Sequence, residues 1–287
     1  MCLILLSKLW LTGNESHSPL IHILGDYSLL NIFSFSQPEI LDESEAESLQ
    51  LLGGGEWNHE RWWYRLVKVC HRWRYIVFQS ASYLRLCLVC ARGTPVADML
   101  AHSPPLPIVV NYFDKDHDIT AEDKAGVILA LQHRDRVRRI RLRKLVRKLI
   151  GTFDGEFPVL EYLLIEYQPY PVHTLESEDV SQITMSLPET FRAPHLRHLV
   201  PMNLVTPIGS QLLMTMWNLV TLSLSMIPPS VYVEPNALLQ QLSLMPQLET
   251  FGITFNPHYR LRNVEDQILR TPIMTHVTLP ILHCLLF

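Results

Sequence analysis

The chain has 287 residues, of which 48% are hydrophobic and 18% charged, with a formal net charge of -4. That is apolar material enough for one large or two modest cores, which argues against global disorder, and the mild charge gives no whole-chain pull toward nucleic acid or an anionic membrane. The five cysteines (Cys2, Cys70, Cys87, Cys90 and Cys284) are odd in number and scattered. A disulfide framework is therefore not expected, and a reducing cytoplasmic or nuclear setting is.

Residues 1–25 form an apolar N-terminal segment. Its Met1 to Leu11 run holds Lys8 in the middle and is too short to span a bilayer. The order of charge, apolar run and small-residue cleavage site that marks a signal peptide is missing, so neither secretion nor membrane insertion is expected. Asp26 through Phe35 predicts a helix, with Asp26 as a capping residue and Leu29, Leu30, Ile32 and Phe33 crowded onto one side. An insert at about 36–57 follows, with the acidic run Asp42 to Glu47 and the triplet Gly53-Gly54-Gly55, and reads as a solvated excursion. From Trp62 the pattern is helical again. Leu66, Val69, Cys70 and Trp73 fall at i, i+3, i+4 and i+7, which predicts a single apolar stripe.

Beyond this point the texture changes. Leu84, Leu86 and Leu88 alternate as in a strand, and Ile108 to Tyr112 predicts another. Thr120 predicts a cap for a helix running to about His133, because its hydroxyl can meet free amides while Glu122 and Asp123 meet the helix dipole. Val137, Ile140 and Leu142 then look extended. Five segments share one form of boundary residue, spacer, Leu, two mostly polar residues and an apolar position. They begin at Pro158, Pro194, Trp217, Pro246 and Pro280. Their leucines (Leu160, Leu196, Leu219, Leu248 and Leu282) lie roughly 36, 23, 29 and 34 residues apart, near the range of leucine-rich repeats. Between them come helix-like runs such as Glu234 to Leu242, where Pro235 suits a first helical turn. The physical reading is a strand, a turn and a helix per unit, stacked because no unit buries its apolar side alone.

Asp26-x-x-Leu29-Leu30-x-Ile32-Phe33 resembles the first helix of an F-box, and Leu66-Val67-x-Val69-Cys70-x-x-Trp73-Arg74-x-Ile76 resembles its second. Residues 84–287 resemble the leucine-rich-repeat half of F-box proteins common in mushroom-forming fungi, through Arg92-Gly93-Thr94-Pro95-Val96, Pro107-Ile108-Val109-Val110, Asp135-Arg136-Val137-x-x-Ile140, and Leu219-Val220-Thr221-Leu222 with Ile227-Pro228-Pro229. The chain departs from the family in having Gly25 where a proline usually precedes the first helix, in the length of its insert, and in ending at Phe287 without an evident polar closing unit. A truncated or decayed product is a third reading that follows from the last point.

The resemblance implies an α+β fold: a small all-α helical module at 26–83 followed at 84–287 by an irregular α/β leucine-rich-repeat-like solenoid. It implies a non-catalytic substrate receptor of a cullin–RING ubiquitin ligase, bound to a Skp-type adaptor and through it to the cullin scaffold, with an unknown protein substrate on the repeats. By position, Leu29, Leu30, Ile32, Phe33, Leu66, Val69, Cys70, Trp73 and Ile76 would supply the adaptor-facing and module-core residues. Two readings of that stripe stay open: anchors filling grooves on a partner, or a seam inside the module's own bundle.

Other constellations weigh less. Cys87-x-x-Cys90 lacks the further ligands that zinc needs and sits in an apolar run, so no metal is expected. His195-x-x-His198 falls at a strand entry, where both imidazoles cannot converge. Within the basic run Arg134 to Lys148, the residues Arg136, Arg138, Arg139, Arg141 and Arg143 form either a strand with a solvated face leading into an amphipathic helix, a patch for an acidic or phosphorylated protein partner, or, least favoured, a nucleic-acid contact. No phosphate loop, nucleophile elbow or dinucleotide fingerprint is present, so neither an enzyme nor a cofactor is expected. A repeat-only interaction scaffold, or a weak nucleic-acid binder, without a ligase role is the alternative.

Overall fold

The structure, a computed structural model, describes residues 24–37, 61–113, 119–143, 147–167, 185–204, 211–227, 235–255 and 278–286. The acidic insert and residues 1–23 lie outside them. The fold is mixed α and β: the described residues form seven α-helices and one eight-stranded sheet. The chain divides into two compact units, Met1–Val89 and Cys90–Phe287.

In the first unit α1 spans Asp26–Phe35, a 3-10 turn spans Trp62–Lys68, and α2 spans His71–Gln79. Helix α1 has the predicted bounds, but Asp26 is not its cap. Gly25 holds that place, with no side-chain hydrogen bond to the free amides. The predicted single stripe through Leu66, Val69, Cys70 and Trp73 is corrected. Cys70 is fully extended (φ -159, ψ 171) and separates a 3-10 turn from an α-helix. A 3-10 turn has three residues per turn, so Trp63 and Leu66 point inward together. The extended Cys70 then restarts the helix, and Val69 and Cys70 are left exposed. The core of this unit is Leu29, Phe33, Trp63, Leu66, Trp73, Ile76 and Val77, all buried. The rings of Phe33 and Trp73 lie 4.8 Å apart.

Residues 81–85 are turns, so the strand expected from Leu84 begins only at Leu88. The unit boundary also falls later than the expected 83/84. Trp63 Nε1 donates to the Cys87 carbonyl at 3.2 Å and the Val89 amide donates to the Tyr64 hydroxyl at 3.4 Å, tying residues up to Val89 to the helical unit.

Strand β1 is Leu88–Ala91, and the second unit continues with α3 (Val96–His102), β2 (Ile108–Tyr112), α4 (Ala121–Gln132), β3 (Val137–Leu142), α5 (Arg147–Ile150) with a 3-10 turn at Gly151–Phe153, β4 (Tyr162–Glu166), β5 (His198–Met202), α6 (Gln211–Thr215), β6 (Thr221–Ile227), α7 (Pro235–Leu242), β7 (Thr250–Phe255) and β8 (Cys284–Leu286). Strand order follows chain order, and every pair from β2/β3 to β7/β8 is parallel. Parallel neighbours require a return segment between strands, and among the described residues α4, α5, α6 and α7 lie in the returns from β2 to β3, β3 to β4, β5 to β6 and β6 to β7.

The recurrent segments sit in one structural register. Strands β4 to β8 each begin two residues after the segment leucine, at Tyr162, His198, Thr221, Thr250 and Cys284. Each leucine amide donates to the carbonyl three residues back: Leu160 to Phe157, Leu196 to Ala193, Leu219 to Met216, Leu248 to Met245 and Leu282 to Leu279, at 3.1–3.4 Å. The next amide then donates across to the preceding strand's entry: Glu161 to Arg138, Arg197 to Glu161, Val220 to Arg197, Glu249 to Val220 and His283 to Glu249, at 2.7–2.8 Å. Four of the five leucines are fully buried.

Strand alternation splits the sheet into two faces. On one, Val110, Ile140, Leu163, Leu199, Leu222 and Phe251 stand in register and are buried. Helix α4 starts as predicted with a reciprocal cap: Thr120 Oγ1 accepts from the Asp123 amide and Asp123 Oδ2 accepts from the Thr120 amide, both at 3.1 Å.

Candidate functional site

Helix α1 carries ten residues, and at about 100° per residue Leu29 and Phe33 define its inward direction. Leu30 and Ile32 then fall on the two shoulders and are half-buried, while Tyr27 and Phe35 fall on the outer side. The outer pair stands in solvent, Tyr27 at 77% exposure and Phe35 at 85%. Val69 (44%) and Tyr75 (58%) are further exposed apolar side chains of the same unit.

The nine residues assigned to the adaptor thus separate by environment. Leu29, Phe33, Leu66, Trp73 and Ile76 are core. Leu30, Ile32, Val69 and Cys70 reach the surface in part or in full. Tyr27, Phe35 and Tyr75 were not assigned from the sequence, although the helical angle opposite Leu29 and Phe33 carries the signal for the first two. Aromatic side chains in this setting offer large, rigid apolar areas that a partner could cover.

Of the three arginines on β3 only Arg138 is exposed, so the solvated face expected of that strand is confined to one residue. Arg141 is buried, with its guanidinium carbon 5.3 Å from the Phe113 ring centroid and 6.0 Å from that of Tyr162. A guanidinium is weakly hydrated and planar, so it tolerates this stacked setting better than an ammonium would. Arg138 pairs with Glu161 at 2.8 Å and Arg143 with Glu166 at 2.7 Å. Arg136 donates from Nε to the Leu106 carbonyl at 3.0 Å, and Arg139 is half-buried. Lys144 and Val146 lie outside the described residues, as do the side chains of Arg147 and Lys148. Leu149 is buried in the short helix α5.

Arg139, Tyr162, His198, Thr221 and Thr250 form one cross-sheet row on the second face. There His198 Nδ1 lies 3.1 Å from Thr221 Oγ1, and its ring is 5.7 Å from that of Tyr162. His195 lies in the preceding turn and is exposed, so it and His198 belong to different elements. Across β6 and β7 this second face carries the half-buried polar side chains Thr221, Ser223, Ser225, Thr250 and Thr254. Cys87 is partly and Cys90 fully buried, and neither is in a disulfide. Among the described residues no three His, Cys, Asp or Glu side chains are grouped to hold a metal, and no helix is long and apolar enough to cross a membrane.

Searches against protein-family models, curated proteins and solved structures give no significant match to this chain.

Proposed function

We propose that the chain is an F-box-type substrate receptor of a cullin–RING ubiquitin ligase. Its helical unit docks on a Skp-type adaptor, and its parallel-stranded unit, a leucine-rich-repeat-like solenoid, carries a protein substrate. The observation that carries this reading is the outward placement of Tyr27 and Phe35 on a helix whose inner face is already closed by Leu29 and Phe33. Aromatic side chains with few rotatable bonds lose little entropy on docking and bury large areas, which suits them as anchors in a partner's groove.

The pairing of Arg138 and Arg143 with carboxylates leaves the nucleic-acid reading with less support, since phosphate binding draws on cations able to release their counterions.

Co-purification of the full chain with the Skp-type adaptor tests the assignment. Trp73→Ala is a poor probe because Trp73 is core, and its loss would unfold the module. Phe35→Ala and Leu30→Asp leave that core in place. Undiminished adaptor binding by both variants, with the fold intact by circular dichroism, rejects the proposal.

A further inference from the structure

Helix α1 begins without a capping side chain, since Gly25 precedes it and offers none. A lone ten-residue helix is marginal in water, so its start depends on partners elsewhere in the chain. One residue of α2 supplies them. Arg72 donates to Asp26 Oδ1 from Nε at 2.9 Å and from Nη2 at 2.7 Å, and Nη2 also reaches the Leu24 carbonyl at 2.5 Å. A single guanidinium therefore holds both the residue that leads into α1 and the first residue of the helix. The neighbouring residue Trp73 holds the other end of α1 through Phe33.

We propose that Arg72 is a positioning residue for docking: it fixes the start of α1 against α2 and so sets the angle at which Tyr27, Leu30 and Phe35 meet a partner. The inference deepens the receptor reading and rests on it. Tyr27 lies roughly 9 Å along the helix axis from Phe33 at 1.5 Å per residue. Without Arg72, α1 keeps the core contacts of Leu29 and Phe33, so the first turn, with Tyr27, is the part that swings most. A lysine in the same place carries the charge but not the fork that spans carboxylate and carbonyl together.

The test uses the full chain, purified Skp-type adaptor, and the variants R72M, R72K and F35A. It reads hydrogen exchange at the Leu29 and Leu30 amides, adaptor affinity and the thermal unfolding profile. For a half-exposed pair of this kind the expected change is up to about fivefold. R72M should exchange faster at both amides and bind the adaptor more weakly by that factor. R72K should fall between it and the parent, and the thermal midpoint of neither should drop by more than the few degrees that a loss of this size implies. Unchanged exchange in R72M overturns the inference. So does faster exchange with undiminished affinity in R72M when F35A does bind more weakly. A parent chain that fails to bind the adaptor overturns the receptor reading, and the inference with it.

Discussion

Phe33 and Phe35 are two positions apart on one helix, yet the first is sealed against Trp73 and the second stands in water. The difference is one of helical angle, and it gives opposite expectations for truncation. Trp73→Ala should destabilise the helical unit by about 3–5 kcal/mol, the usual penalty for a large core aromatic, seen as loss of its cooperative unfolding transition in urea. Phe35→Ala should leave that transition within about 0.5 kcal/mol, as exposed substitutions do, while adaptor capture falls. Thr120→Ala should cost about 1 kcal/mol through loss of the reciprocal cap on α4, read as a lower urea midpoint with unchanged slope. Gly126→Ala should also destabilise. An added Cβ there would lie 3.0 Å from Val96 Cγ2 and 3.2 Å from the Tyr112 hydroxyl, and well-packed cores resist such additions. The cap at Thr120 was readable from four consecutive residues because its chemistry is local. The exposure of Cys70 was not, because a period counted through Leu66 to Trp73 assumes one continuous helix, and the extended backbone at Cys70 breaks that assumption.

At the scale of elements, the strand entries are the most constrained feature of the second unit. Each combines a leucine, fully buried in four of the five, a turn bond closing over three residues, and an amide bond to the previous entry. Leu196→Ala and Leu219→Ala should each cost about 2–5 kcal/mol, the range for buried leucines whose surroundings relax only partly. Calorimetry of the full chain would show it as a lowered midpoint; a change below about 0.5 kcal/mol would mean that the entries are not structural fixtures. Strands β2 to β8 were foreshadowed by short apolar runs and by the recurrent leucine form. Helices α1, α4 and α7 were foreshadowed by periodicity and by Thr120 and Pro235. The setting of Arg141 was hidden, because its aromatic neighbours Phe113, just past β2, and Tyr162, at the start of β4, are distant in sequence and no local spacing records that encounter.

For the whole molecule, the two compact units bring a functional expectation. A ligand that binds only the folded form raises stability with its concentration. Saturating adaptor should therefore raise the unfolding midpoint of the helical unit, followed through Trp63 and Trp73 fluorescence, and a midpoint insensitive to adaptor would speak against docking through that unit. The strand entries carry a separate consequence. The recurrent leucines are separated by roughly 23 to 36 residues, yet each strand starts at the same offset from its own doorway. Variation in length is thereby confined to the return path between one strand and the next entry. Such a chain can acquire longer or shorter excursions there, and new side chains with them, while the ladder that orders its strands keeps its rungs.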